Sequence, residues 1–358
     1  MPSPHLSHYL DWITNGLHGD MRYMSREDRV ARRKDLQLIL PGAKSLIMVA
    51  VDYYRPPLPE SIVSDPRRGR ISNYAWGADY HEGMLEGLEL LATYVGDLFA
   101  NEVASRAYVD TGAILERSHA QQAGLGFFGK NTLLIHPRRG SYFFLGEIIT
   151  TAVLEHEESP PMPGCGSCAR CLTACPTAAF PQPYVLDSKR CISYLTTEHK
   201  EFIPRELRPL MGNWVYGCDI CQEACPWQRF APVAVVSDSI QEQIDRIAPA
   251  LDELLLLDRP SFHAKFANSA IFRIGRDRMV RNACIAAGNS ADSIFGALLS
   301  SLLADSSALV RGHAAWALGQ LDTQQEVIRQ RLPQETDPKV VAEFEAALSV
   351  QLHGDSNG

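Results

Sequence analysis

Cys165-x2-Cys168-x2-Cys171-x3-Cys175-Pro176 opens the stretch that decides how this 358-residue chain is read, and Cys191 and then Cys218-x2-Cys221-x3-Cys225-Pro226 complete it. Eight of the nine cysteines lie between Cys165 and Cys225. Three thiolates crowded onto one tight loop can grip three corners of a single iron–sulfur cubane. In a C-x2-C-x2-C-x3-C-P run the fourth cysteine reaches across to the neighbouring cubane. The spacing therefore predicts one 4Fe–4S cluster on Cys165, Cys168, Cys171 and Cys225, and a second on Cys191, Cys218, Cys221 and Cys175. The first ligand of the second group stands far upstream of Cys218, so the residues between should form a loop or short helices.

Structural zinc is the rival use of eight thiolates, but zinc sites come as separated C-x2-4-C pairs rather than three cysteines in seven residues. Disulfides require an oxidising compartment. The N-terminus, Met1-Pro-Ser-Pro-His5, lacks the basic segment and apolar run of a secretory signal. The lone Cys284 lies in an apolar helical stretch, where a buried core thiol is expected. Two clusters in series move single electrons, so the rest of the chain must contain what receives them.

At 46% hydrophobic and 21% charged residues, the composition is that of a globular protein and excludes a disordered, collagen-like or coiled-coil chain. Its longest apolar runs, Ser45–Val51 and Leu254–Leu257, fall far short of the roughly 18–20 residues that span a bilayer. A soluble, cytoplasmic protein is expected, with a monomer as the default state. The net charge of −8 does not by itself point to a nucleic acid, although a local basic face can still bind one.

Three regions are expected. Residues 1–155 read as an α/β domain, with strands at Ser45–Val51, Arg106–Asp110, Thr132–Ile135 and Tyr142–Leu154, and helices at Asp79–Phe99 and Ile114–Leu125. Residues 156–235 are punctuated by Pro, Gly and Cys, the texture of a ferredoxin-like insert folded largely by its metal. Residues 236–358 read as all-α. Met279-Val-Arg-Asn-Ala-Cys-Ile-Ala-Ala recurs 30 residues later as Leu309-Val-Arg-Gly-His-Ala-Ala-Trp-Ala, and again as Lys339-Val-Val-Ala-Glu-Phe-Glu-Ala-Ala. That period means stacked, HEAT-like helical hairpins, with Asp277, Asp305 and Asp337 as candidate helix starts. Arg273, Arg276, Arg278, Arg281, Arg311 and His313 concentrate positive charge there, as either a solvated face or a surface for a polyanion.

Within the first region, Asp110 follows a strand and precedes Thr111-Gly112, a position suited to a catalytic carboxylate or to capping the next helix. Gly124-x-Gly126-x-x-Gly129-Lys130-Asn131-Thr132 follows a helix and precedes a strand, the reverse of a dinucleotide fingerprint. It reads as a Gly-rich turn that brings backbone amides near a large ligand. The segment Arg70-Ile-Ser-Asn73-Tyr74-Ala-Trp76-Gly-Ala-Asp79-Tyr80-His81 is dense in aromatic and hydrogen-bonding groups and suits an amphipathic ligand with a flat face.

Several of these segments together resemble the epoxyqueuosine reductase family. They are Tyr108-Val-Asp110-Thr-Gly-Ala-Ile-Leu-Glu116-Arg117, Gly124-Leu-Gly-Phe-Phe-Gly129-Lys130-Asn131-Thr132, Gly146-Glu147-Ile-Ile-Thr-Thr, the Cys165–Cys175 run, Cys191-Ile-Ser-Tyr-Leu-Thr and Gly217-Cys-Asp-Ile-Cys-Gln222-Glu-Ala-Cys225-Pro226. They occur in the family's order, with the helical tail after them. The resemblance implies a cobalamin-dependent oxidoreductase with two 4Fe–4S clusters. Its reaction reduces epoxyqueuosine to queuosine at the wobble position of tRNA, the last step of queuosine biosynthesis. It implies an α/β cobalamin-binding domain, a proton donor at Asp110, and cobalamin contacts at Arg33, Asn73, Asp110, Lys130, Asn131, Ser193 and Asp219. It makes Lys200 a candidate tRNA contact; the sequence shows no histidine motif for cobalt ligation, so base-off cobalamin without a protein histidine on the cobalt is expected. Arg278, Arg281 and Arg311 on the helical repeats are further candidate tRNA contacts, and electrons are expected from an external low-potential donor. Deoxygenating an epoxide needs two electrons and an acid beside the departing oxygen, which an Asp110 of raised pKa would supply.

Three other readings stay open on sequence. A corrinoid reductive dehalogenase couples two cubanes to cobalamin and would act on a halogenated substrate. An electron-transfer module would carry clusters but no corrin. A non-catalytic tRNA-binding protein would carry its clusters as structural elements.

Overall fold

The computed structural model describes residues 3–100, 102–155, 161–234 and 240–349. The two boundaries expected at 155/156 and 235/236 fall at stretches outside the described residues. The chain forms two compact units that interleave along the sequence. One comprises Met1–Pro56, Asp79–Lys189 and Asp219–Val235, and the other Pro57–Ala78, Arg190–Cys218 and Val236–Gly358. The linear division into three regions is therefore not the spatial one, because the cysteine-rich segment contributes to both units.

The first unit is built on a three-stranded sheet in the order Ser45–Asp52, Phe143–Thr150, Ser105–Tyr108, both outer strands antiparallel to the central one. Side chains alternate between the two faces of a strand. Ile148 packs with Met84, Leu88 and Val109 under the Tyr80–Leu98 helix. On the opposite face Ile149 packs with Leu36, Ile39, Leu40 and Ile114, while Phe143 packs with Ala120 and Leu134. Asp79 starts the Tyr80–Leu98 helix by accepting the His81 amide on its side chain. The helix expected from Ile114 begins at Glu116 and ends at Gln122. No side chain caps it, which excludes a capping role for Asp110.

The Gly-rich segment forms a hairpin in which Phe127–Phe128 pairs antiparallel with Leu134–Ile135. A Cβ on Gly126 would lie 2.6 Å from the Ile135 carbonyl oxygen, so only glycine permits this crossing.

In the second unit, Arg70–Ile71 pairs in parallel with Trp214–Tyr216. Helix Gly275–Asn289 packs on Ala308–Gln320, which packs in turn on Pro338–Ser349. Asp337 accepts the amides of Lys339 and Val340 at the start of the last helix, as its sequence position suggests. Asp277 lies in the first turn of the Gly275–Asn289 helix. Arg208 and Glu343 form a buried bidentate pair, both contacts 2.8 Å. Among the described residues, no helix is long and apolar enough to cross a membrane.

Candidate active site and cluster loop

Asp110 stands two residues beyond the Ser105–Tyr108 strand, with φ of 55°, a left-handed conformation that turns the chain sharply there. Its side chain is 48% exposed and therefore open to a ligand. The Tyr80 hydroxyl donates to Asp110 Oδ2. The Tyr80 ring is fixed between Phe144, at 3.8 Å and nearly parallel, and the His81 ring at 4.0 Å. His81 Nε2 lies 3.8 Å from Asp110 Oδ2, while its Nδ1 is 2.6 Å from Asp79 Oδ1. The aromatic segment noted in the sequence thus ends in the two side chains that hold the candidate acid.

Two further carboxyls lie behind Asp110. Glu147 is 0% exposed, on the central strand opposite Met48 and Tyr108. Burial, aided by the nearby Asp110 charge, pushes its carboxyl up to about 8. Glu116, half-buried at the start of its helix, is pushed well above the ordinary carboxylate range by burial and then by the Glu147 and Asp110 charges. Tyr53 lies within electrostatic reach of Asp219, Cys221 and Asp110, and burial raises its phenol.

Cys165, Cys168, Cys171 and Cys225 line one cavity of about 300 Å³ including its mouth, together with Asn131, Ile135, Pro226 and Trp227. These are the four cysteines that the spacing assigns to one cluster. Cys225 stands at the start of the Pro226–Phe230 turn, which returns it to the loop that holds the other three. Among the described residues, no three His, Cys, Asp or Glu side chains are placed to hold a single metal ion. Four thiols around one cavity suit a cubane, where each thiolate takes its own iron. Burial raises the Cys171 and Cys225 thiols, reinforced by the neighbouring cysteines.

Lys130 and Asn131 brace this loop. The Lys130 amide donates to Cys165 Sγ at 3.4 Å, and its ammonium donates to the Gly166 and Cys168 carbonyls, both 2.8 Å. Asn131 Nδ2 donates to the Cys221 carbonyl at 3.2 Å. Cys175 and Cys221 belong to the first unit, Cys191 and Cys218 to the second.

Other sequence-predicted residues are placed as follows. Asp219 is buried in the first unit. Asn73 is buried and Ser193 half-buried in the second unit. Arg33 is buried against the Tyr9 ring and donates to its hydroxyl at 3.3 Å, while its Nε has no hydrogen-bond partner.

The basic strip of the helical region is corrected most. Arg281 is 0% exposed and donates to the Leu195, His199 and Glu201 carbonyls, so it is no surface contact. His313 is equally buried, its Nε2 accepting the Ile203 amide. Arg278 donates to the Ile274, Thr197 and Arg273 carbonyls. Arg311 pairs bidentately with Glu335, and Arg276 with Asp305. These cations face inward because the helices turn them toward carbonyls and carboxylates that need donors. Lys200 is exposed, and Arg281 grips the backbone on either side of it. Sequence reading assigned no role to Tyr80, His81, Glu116 or Glu147, although all four lie inside segments it singled out.

The geometry can be set beside known proteins. The family model for epoxyqueuosine reductase QueG matches residues 33–111, and the model for a 4Fe-4S double cluster binding domain matches residues 164–228. The epoxyqueuosine reductase of Pseudomonas aeruginosa is 39% identical over 323 residues, which cover 88% of this chain and 86% of that protein. A crystal structure of epoxyqueuosine reductase with an epoxyqueuosine-modified tRNA-Tyr stem loop is 31% identical, with a TM-score of 0.87, covering 96% of this chain and 91% of that one. The Bacillus subtilis epoxyqueuosine reductase, solved with an aspartate catalytic loop swung out of its active site, matches with a TM-score of 0.86 at 31% identity over 96% of this chain and 91% of that one.

Proposed function

The chain belongs to the epoxyqueuosine reductase family, and from that premise we propose which of its own residues carry the reaction. It reduces epoxyqueuosine to queuosine in tRNA, with electrons carried by two 4Fe–4S clusters. Two electrons and two protons convert the epoxide to an alkene and water. Asp110 is the proton donor to the departing oxygen. The observation that carries this is its open carboxyl, held by the Tyr80 hydroxyl and lying near His81.

One cluster is held by Cys165, Cys168, Cys171 and Cys225, the set that lines one cavity. The other takes Cys175, Cys191, Cys218 and Cys221, as the spacing has it. Electrons enter from an external low-potential donor.

Cobalamin is the family's implied cofactor, and the first unit's residues fit it. A corrin presents a broad flat face and a rim of amide arms that need both acceptors and donors. Asp110 and Asp219 supply acceptors, Lys130 and Asn131 supply donors, and Tyr53 and Tyr80 supply aromatic surface; these residues would hold it. Once bound, it would supply a low-potential cobalt centre that delivers both electrons to the epoxide. We read the helices from Gly275 to Ser349 as HEAT-like and Lys200 as a tRNA contact, supported by its exposure.

The test is an anaerobic incubation of the cluster-loaded protein with cobalamin, a low-potential reductant and tRNA carrying epoxyqueuosine, followed by nucleoside mass measurement. Loss of one oxygen, dependent on cobalamin, is the expected result. An unchanged nucleoside at full cluster and cobalt occupancy would overturn the substrate.

A further inference from the structure

The sheet of the first unit contains an anomaly that the reaction as described does not use. Glu147 is wholly buried at the middle of the central strand, on a face otherwise lined by Phe143, Leu145 and Ile149. Neither of its carboxylate oxygens has a hydrogen-bonding donor. An ionised carboxylate left so would cost several kcal/mol, so the site needs a proton. The neighbour that can share one is Glu116, whose carboxyl lies within electrostatic reach of both Glu147 and Asp110. The loop carrying Asp110 passes close above. A Cβ on Gly112 would meet Glu147 Oε1 at 3.2 Å and Tyr108 Cγ at 3.1 Å, and glycine leaves that approach open.

We propose that Glu147 and Glu116 share a proton and form a buried store that recharges Asp110 during the reduction. The proposal rests on the reaction assigned above and deepens it. Opening the epoxide and expelling its oxygen as water breaks two C–O bonds, forms one C=C bond, and consumes two electrons and two protons. Asp110 gives one proton to the oxygen and is left as a carboxylate. The shared proton then passes through Glu116 to Asp110, so a second proton reaches the oxygen through the same carboxyl. Solvent refills the pair through Glu116, which is half-buried rather than sealed.

The cation nearest the pair is Arg117, which lies within electrostatic reach of Glu116 and Asp110. The Arg117 guanidinium is spent on the Thr132 carbonyl and Arg29 on the Thr111 carbonyl. Tyr80 and His81 face Asp110, and Tyr108 lies opposite Glu147 on the next strand. Burial raises both glutamates, aided by the Asp110 charge at Glu147 and by the Glu147 and Asp110 charges at Glu116, which agrees with a proton held near neutral pH.

Two measurements on the full chain test this, one of them independent of turnover. Infrared difference titration of the cluster-loaded protein, without cobalamin or tRNA, should show a protonated-carboxyl band at pH 7 that disappears near pH 8 and is missing in Glu147→Gln. Absence of the band in the wild type would overturn the proposal even if the enzyme reduces epoxyqueuosine normally. In turnover, Glu147→Gln and Glu116→Gln should each lower kcat by about 10–100-fold, shift its alkaline limb to lower pH, and leave KM for tRNA unchanged. Wild-type kcat and pH profile in both variants would equally overturn it. An inactive wild type with the band present would count against the assigned substrate and leave the shared proton standing.

Discussion

The hydroxyl of Tyr80, first residue of its helix, donates to Oδ2 of Asp110, 30 positions further along the chain. The helix start and the strand exit are thereby joined at the acid, and the Tyr80 ring is itself clamped by Phe144 and His81. A carboxyl whose orientation is set by a stacked phenol is prepared before substrate arrives, which is what proton delivery to a departing oxygen requires.

Removing the acid and removing its holder should differ in degree. Asp110→Asn should keep both clusters and cobalamin while lowering turnover by roughly 10²–10⁴-fold. Tyr80→Phe keeps the stacking and loses only the hydroxyl, so turnover should fall about tenfold, the worth of one hydrogen bond to a charged group. Nucleoside analysis under single-turnover conditions checks both. Equal rates in Tyr80→Phe and wild type would separate Tyr80 from the positioning of Asp110.

Glu147 should make the fold lose stability as pH rises. Its carboxyl sits near 8 when folded and 4.5 when exposed, so between those values the folded chain binds the extra proton. Stability is therefore greatest below about 4.5 with respect to this group and declines up to about 8. Glu147→Gln should flatten that decline, as denaturant melts at pH 5, 7 and 9 would reveal.

The opposite sign holds at Arg311 and Glu335. The Arg311 guanidinium beside Glu335 holds that carboxyl at about 2, below its ordinary 4.5. The stabilisation is complete above about 4.5 and is lost as pH falls toward 2. Arg311→Ala should lower the melting temperature at pH 7 and remove the pair's share of the acid sensitivity.

Cys225→Ser should remove one cluster selectively. Iron should drop from about eight to about four per chain, since one of two 4Fe–4S sites is lost. Retention of the full iron content would reassign the fourth ligand of the Cys165, Cys168 and Cys171 cluster.

Arg281 and Lys200 separate framework from surface. Arg281→Met strands three backbone carbonyls in the second unit and should cost about 2–4 kcal/mol of stability. Lys200→Ala should leave the melting temperature unchanged while weakening tRNA binding and reducing its salt slope by about 1. Unchanged affinity and slope would move the RNA surface elsewhere.

The cluster-binding character of the cysteine segment, the sheet's two long strands, the Tyr80–Leu98 helix and the helical nature of the tail were legible in the residues alone. Each is a local property. Three cysteines in seven residues can meet one cubane whatever surrounds them, and an apolar run or a 30-residue period needs no distant partner to be recognised. The same locality misled at the basic strip. Arg281 and Arg311 occupy one repeat position that looks like a charged face, yet the repeat does not say which way that face turns.

Tertiary structure alone decided the pairings that span long stretches of chain. Tyr80 meets Asp110, Glu147 faces Glu116 from another element, and Arg281 reaches the carbonyls around Lys200. It also decided that the cysteine-rich segment is divided between two units. The physical reason is burial. Spacing along the chain determines which groups can share a loop or a helix face, whereas the cost of removing a charge from water depends on what the rest of the fold packs around it. Glu147 reads as one more strand residue in the sequence, and becomes a proton-holding group only because the sheet encloses it without a donor.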